Sequence, residues 1–172
     1  MKSIKGIPKK IFDLIEVHLA SIIFMSLFFC IVIQVFSRYV LNRPLPPLFE
    51  LSIYSFVWAI FLGAPLARRY RKHLRFDILF RKFPKRVQLL SEIVFDSLTN
   101  VVLFVIFVPT VKYTAWNYSI KSSVLRIPWT YLLLCFPIFI VLLFIHNSVW
   151  IYYHIREFLG RRTPPLEVPP WE

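Results

Sequence analysis

Residues 14–36 read LIEVHLASIIFMSLFFCIVIQVF, and this stretch decides the fold. As a helix it is about 34 Å long at 1.5 Å per residue, enough to cross the roughly 30 Å hydrocarbon core of a bilayer with slight tilt. Lys2, Lys5, Lys9 and Lys10 precede it. The run is too long for the apolar centre of a signal peptide and no Ala-x-Ala site closes it, so it reads as a retained first membrane helix. Three further apolar blocks lie downstream, predicting helices over about 48–67, 87–108 and 129–153. A chain in lipid must satisfy its backbone polar groups within each segment, and blocks of this length do so as helices. The fold expected is an all-α integral membrane protein with four transmembrane helices.

Composition agrees. Of 172 residues, 58% are hydrophobic and 18% aromatic. Charged residues make up 17%, against about 25% in soluble domains. Mean hydropathy is +0.63. The net charge of +12 does not signal nucleic acid, because it sits between the apolar blocks, where basic residues face anionic headgroups. Cys30 and Cys135 both lie inside apolar blocks and form no Cys-x-x-Cys pair, so neither a zinc ribbon nor a thiol redox site is available. They read as small buried apolar side chains.

The segments between the blocks have distinct chemistry. Pro44, Pro46 and Pro47 make the first connector stiff and suit the start of the second helix, where amide donors have no intrahelical acceptor. Glu50 then falls near that start. Pro65 is expected to kink or end the second helix and Pro109 to break the third, whose apolar pattern could otherwise extend to Trp116. Arg68 to Arg86 forms a basic cluster. Within it Phe76, Leu79, Phe80, Phe83 and Val87 recur at three- and four-residue spacing, with Arg75, Arg81, Lys82 and Lys85 as the polar part. This pattern predicts an interfacial amphipathic helix over about 74–86. Residues 1–158 read as one membrane domain and 159–172 as a Pro-rich flexible cytoplasmic tail.

Basic residues divide unevenly between alternate segments. The amino tail, second loop and carboxyl tail hold most of them; Arg38, Arg43, Lys112, Lys121 and Arg126 lie on the other side. The positive-inside rule then predicts cytoplasmic termini, with Glu50 and Arg126 near the outer face. Trp116 and Trp129 mark one aromatic belt and Trp150 the other.

Several polar residues are candidates for function. Glu50 is placed to pair with Arg38 or Arg43 across the Pro-rich connector, or to cap its own helix. Glu92, Asp96 and Asn100 recur every four residues and share one helix face. Such a face must meet protein, headgroups or water. It suits a grip on another helix or on the basic segment better than an ion path, since the outer halves of the helices offer mainly Gln34. His18 and His146 raise the alternative of a haem-bearing membrane anchor of a respiratory enzyme. A freestanding small transporter or channel is a second alternative. No phosphate loop, His-Glu-x-x-His or nucleophile elbow occurs, and there is little extramembrane mass for an enzyme site.

Three stretches then resemble a known family. The first is Val35-Phe36-Ser37-Arg38-Tyr39-Val40-Leu41-Asn42-Arg43-Pro44-Leu45-Pro46, followed by Glu50-Leu51. The second is Phe61-Leu62-Gly63-Ala64-Pro65-Leu66-Ala67-Arg68-Arg69, followed by His73-Leu74-Arg75-Phe76-Asp77. The third is Leu125-Arg126-Ile127-Pro128-Trp129, with Pro137 in the last helix. In order and spacing the chain resembles the small membrane subunit, the DctQ-type component, of tripartite ATP-independent periplasmic (TRAP) transporters. It departs from that pattern at Pro47–Glu50, where a Trp-Thr-Glu-Glu stretch is common, at Tyr54, where a basic residue is common, and at Arg126, where the family usually has glycine.

The resemblance implies a non-enzymatic scaffold subunit in the bacterial inner membrane. Its partners would be a large multi-helix permease subunit, a periplasmic substrate-binding protein and membrane lipids. It implies no cofactor in this chain, with sodium and the organic acid (a dicarboxylate or sialic acid, for example) handled by the large subunit. Arg38, Arg43, Glu50, His73, Asp77, Glu92, Asp96, Asn100 and Arg126 would be structural or partner-facing residues. Arg75, Phe76, Leu79, Phe80, Phe83, Trp116, Trp129 and Trp150 would sit at the membrane interface.

Overall fold

The computed structural model describes residues 13–69 and 84–160. Residues Asp13–Leu19 form a π-helical segment that runs directly into α1, Ala20–Tyr39. Then come α2, Pro46–Arg69, and α3, Lys85–Trp116, which ends in a 3-10 turn at Asn117–Ser119. A short α4, Thr130–Leu133, precedes α5, Cys135–Phe158. These elements make four spans long and apolar enough to cross a membrane: Asp13–Tyr39, Pro46–Arg69, Lys85–Ser119 and Thr130–Phe158. Among the described residues there is no strand, only an isolated antiparallel bridge between Lys121 and Pro128. The four-helix, all-α expectation therefore holds. The interfacial helix expected over about 74–86 falls almost wholly outside the described residues; Lys85 and Arg86 already belong to α3.

Each span is longer than its apolar block, and proline accounts for the largest corrections. Pro65 does not end α2, which continues to Arg69. Pro109 does not break α3, which continues to Trp116. A proline removes one backbone donor, and in membrane helices the local geometry absorbs that loss more readily than in water. The last span, expected to be continuous, is the one that is interrupted. Its helix lapses at Leu134, three residues before Pro137, and the Cys135 thiol donates to the Leu132 carbonyl at 3.1 Å.

Two ends show why their residues suit them. After α1 the chain turns through Asn42 at φ +50°, a left-handed conformation that asparagine tolerates. There the Arg43 amide donates to the Ser37 carbonyl at 3.0 Å. After α5, Gly160 sits at φ +74° and its amide donates to the Glu157 carbonyl, a glycine stop of the usual left-handed kind.

The chain divides into two compact units. One comprises the residues up to Leu66 together with Thr110–Phe139. Its core holds Leu27, Cys30, Leu62 and Cys135, with Phe61 packed on Phe136 and Phe139 at centroid distances of 4.4 and 5.3 Å. The other unit comprises Ala67–Pro109 and the residues from Ile140 onward. It buries Leu89, Leu103, Ile140 and Leu142, but also Asp96, His146, Asn147 and His154.

Candidate functional site

Each unit contains a polar cluster. In the second unit the cluster is built on α3. The four-residue repeat of Glu92, Asp96 and Asn100 does place the three on one face, and that face meets α5 and the end of α2. Arg68 donates from its guanidinium to Asp96 Oδ1 and, through Nε, to Asn147 Oδ1 at 2.6 Å. Both side chains of the Arg68–Asp96 ion pair are only 12% exposed. His154 Nε2 lies 2.9 Å from Glu92 Oε2, and His154 Nδ1 lies 3.6 Å from Asp96 Oδ2. One turn further along, Asn100 Nδ2 donates to Ser148 Oγ at 3.1 Å.

The contacts run in opposite directions along the two helices, 92 with 154 and 100 with 148, so α3 and α5 are antiparallel here. Trp150 completes the cluster: its indole N–H donates to the Arg68 carbonyl at 3.2 Å and its ring stacks on His154. That bond occupies one of the terminal carbonyls that α2 leaves without an intrahelical partner. Trp150, placed by the sequence in an aromatic belt, thus also joins two helices. Lys85 and Glu157 form a more exposed ion pair at 3.0 Å.

The chemistry of this arrangement is fastening. Two carboxylates, a guanidinium, an imidazole and two carboxamides engage one another across three helices. In lipid such side-chain contacts hold helices together where apolar packing alone gives little preference over lipid tails. Among the described residues no group of three or more His, Cys, Asp or Glu is arranged to hold a metal ion.

In the first unit the cluster is centred on Glu50. Its Oε2 accepts hydrogen bonds from the backbone amides of Val124 and Leu125 at 3.1 and 2.7 Å. The expected pairing of Glu50 with Arg38 or Arg43 is not formed: the carboxylate faces the loop that precedes the last span. That loop is a small hairpin, closed by Ser122 N to Ile127 O and Trp129 N to Ile120 O, both 2.9 Å, and by Ile127 N to Ser122 Oγ at 3.1 Å. Thr130 Oγ1 donates to the Thr114 carbonyl and Trp58 Nε1 to the Tyr131 carbonyl, so the hairpin and α4 are tied to α3 and α2. Arg126, at the hairpin tip, has φ +57°. The left-handed region costs a residue with a Cβ roughly 1–2 kcal/mol, a cost that glycine does not carry.

The other sequence candidates are dispersed. Arg38 is exposed with its guanidinium 5.7 Å from the Tyr39 ring centroid, and Arg43 is exposed. Trp116 and Trp129 are exposed, at 72% and 44%. His18 is exposed and His146 buried, unlike surroundings for a matched pair of axial ligands. His73, Asp77, Arg75, Phe76, Leu79, Phe80 and Phe83 lie outside the described residues. The sequence reading missed Asn147, Ser148 and His154. A signal existed: Asn147, Trp150 and His154 recur at three- and four-residue spacing on an otherwise apolar helix.

Residues 27–157 match the family model described as tripartite ATP-independent periplasmic transporters, DctQ component. No curated protein sequence matches the chain.

Proposed function

This chain belongs to the DctQ component family of tripartite ATP-independent periplasmic transporters, and from that premise we propose that it is the scaffold that braces the large permease subunit. The family is a transporter component and not an enzyme, so the reading as a respiratory haem anchor falls away. In the proposed assembly the large subunit carries an organic acid and sodium. This chain keeps the stationary part of that subunit in place, with both termini in the cytoplasm of a bacterial inner membrane. Its outer hairpin offers a surface for the periplasmic binding protein.

One observation carries the proposal. Polar and acidic side chains inside the spans of the second unit are engaged in cross-helix contacts, Arg68 with Asp96 and Asn147, and His154 with Glu92. Groups held this way resist deformation, and a frame against which another domain slides must do so.

Co-expression with the large subunit tests it. Asp96→Asn and His154→Ala are expected to lower the yield of intact complex several-fold, while the complex that does form keeps its substrate affinity and its sodium-to-substrate ratio. A changed ratio in fully assembled complex would overturn the scaffold reading, as would solute transport by this chain reconstituted alone.

A further inference from the structure

Gln34 and Arg38 are four residues apart, on one face of the last turns of α1. The turn through Asn42 returns the chain so that Pro44, Leu45 and the start of α2 lie beside that face. The result is a groove of about 470 Å³ lined by Gln34, Arg38, Pro44, Leu45, Pro46 and Phe49. That volume lies within the range of small-molecule sites, roughly 300–1,000 Å³. One part of the lining is a guanidinium and a carboxamide; the rest is proline rings, a leucine and a phenylalanine.

We infer that this groove binds an anionic phospholipid, with the phosphate on Arg38 and Gln34 and the glycerol and first acyl carbons along Leu45 and Phe49. Charge supports this. Glu50, the acid nearest in sequence, has turned to the Val124 and Leu125 amides, and Arg38 makes no ion pair among the described residues. The other acids of this unit's described residues, Asp13 and Glu16, lie at the opposite end of the same span. That separation is more than about 30 Å at 1.5 Å per residue. Arg38 and Arg43 therefore leave this end of the unit positive. A guanidinium presents a planar fork of donors that fits two phosphate oxygens.

Position supports it as well. Arg38 lies at the end of a membrane-crossing helix, the level at which a long basic side chain reaches the headgroups from an apolar stem. The groove's own apolar lining includes Leu45 and Phe49, both exposed, so its apolar wall is open to acyl chains. An acidic side chain from a partner protein would satisfy Arg38 but leave that wall without a matching occupant.

Native mass spectrometry of the full chain released from detergent, with added phosphatidylglycerol or phosphatidylcholine, is the test. Wild-type protein should retain one phosphatidylglycerol in preference to phosphatidylcholine. Arg38→Gln should weaken that retention by about tenfold or more, the usual scale for losing a charged hydrogen bond. Lys112→Gln, which removes another exposed cation, should leave it unchanged. Gln34→Leu, which keeps the charge, should give an intermediate loss and guards against misfolding of the arginine variant. Equal losses in Arg38→Gln and Lys112→Gln, or no preference for the anionic lipid, would overturn the inference. A photo-crosslinker at Leu45 in cell membranes should give a phospholipid adduct; an adduct with a protein subunit instead would also overturn it.

Discussion

Arg126 and Glu50 show how a few atoms shape the hairpin before the last span. Arg126 holds φ +57°, so Arg126→Gly should relieve left-handed strain and raise stability by up to about 1 kcal/mol, less what glycine loses through its freer unfolded chain. Thermal unfolding in detergent should show the higher midpoint. An unchanged or lower midpoint would mean that the arginine side chain contributes an offsetting interaction. Glu50→Gln should speed hydrogen exchange at the Val124 and Leu125 amides, because a carboxamide oxygen is a weaker acceptor than a carboxylate. Exchange at Asn100 and Ser148, in the other unit, should not change. The sequence made both residues conspicuous, one as a departure from a glycine position and the other as the sole acid near the second helix's start. It concealed the partner of Glu50, because backbone amides more than 70 positions away have no side-chain signature.

At the level of the helices, the apolar blocks made number, order and type legible, since bilayer crossing demands length and hydrophobicity that few other structures need. The ends were less legible. Pro65 and Pro109 lie within helices that continue past them, whereas the helix lapses just before Pro137. A proline's missing donor is the same at all three; the difference lies in the surroundings, which spacing does not report. At Leu132 the Cys135 thiol donates to a carbonyl beside the lapse. Pro137→Ala should restore an amide able to pair with the Leu133 carbonyl and join α4 to α5. Amide exchange over Leu134–Ile138 should then slow, and absence of that slowing would place the cause of the lapse elsewhere. Pro109→Ala, by contrast, should leave the length of α3 unchanged.

For the whole molecule, the question is where its charge goes. The acidic face of α3 was legible from its four-residue repeat, and it engages Arg68, at the edge of the basic cluster. His154 was overlooked because it sits near the end of an apolar block among tyrosines, where one polar residue attracts no attention. Breaking the Arg68–Asp96 pair with Asp96→Asn should cost about 3 kcal/mol, since it leaves a mostly buried guanidinium without its counter-charge. Replacing both partners with apolar residues should recover part of that loss, and a double-mutant cycle in thermal unfolding would measure the coupling. A coupling near zero would make the pair dispensable. The same arginine also acts at an earlier time. In the proposed orientation Arg68 counts among the basic residues that hold the second loop inside before α3 is made, and it meets Asp96 only once α3 is in place. In that orientation biosynthesis and architecture use one residue in succession. Asp96→Asn should leave the insertion topology unaltered in a reporter-fusion assay, whereas Arg68→Asp should weaken both the topology and the mature bundle.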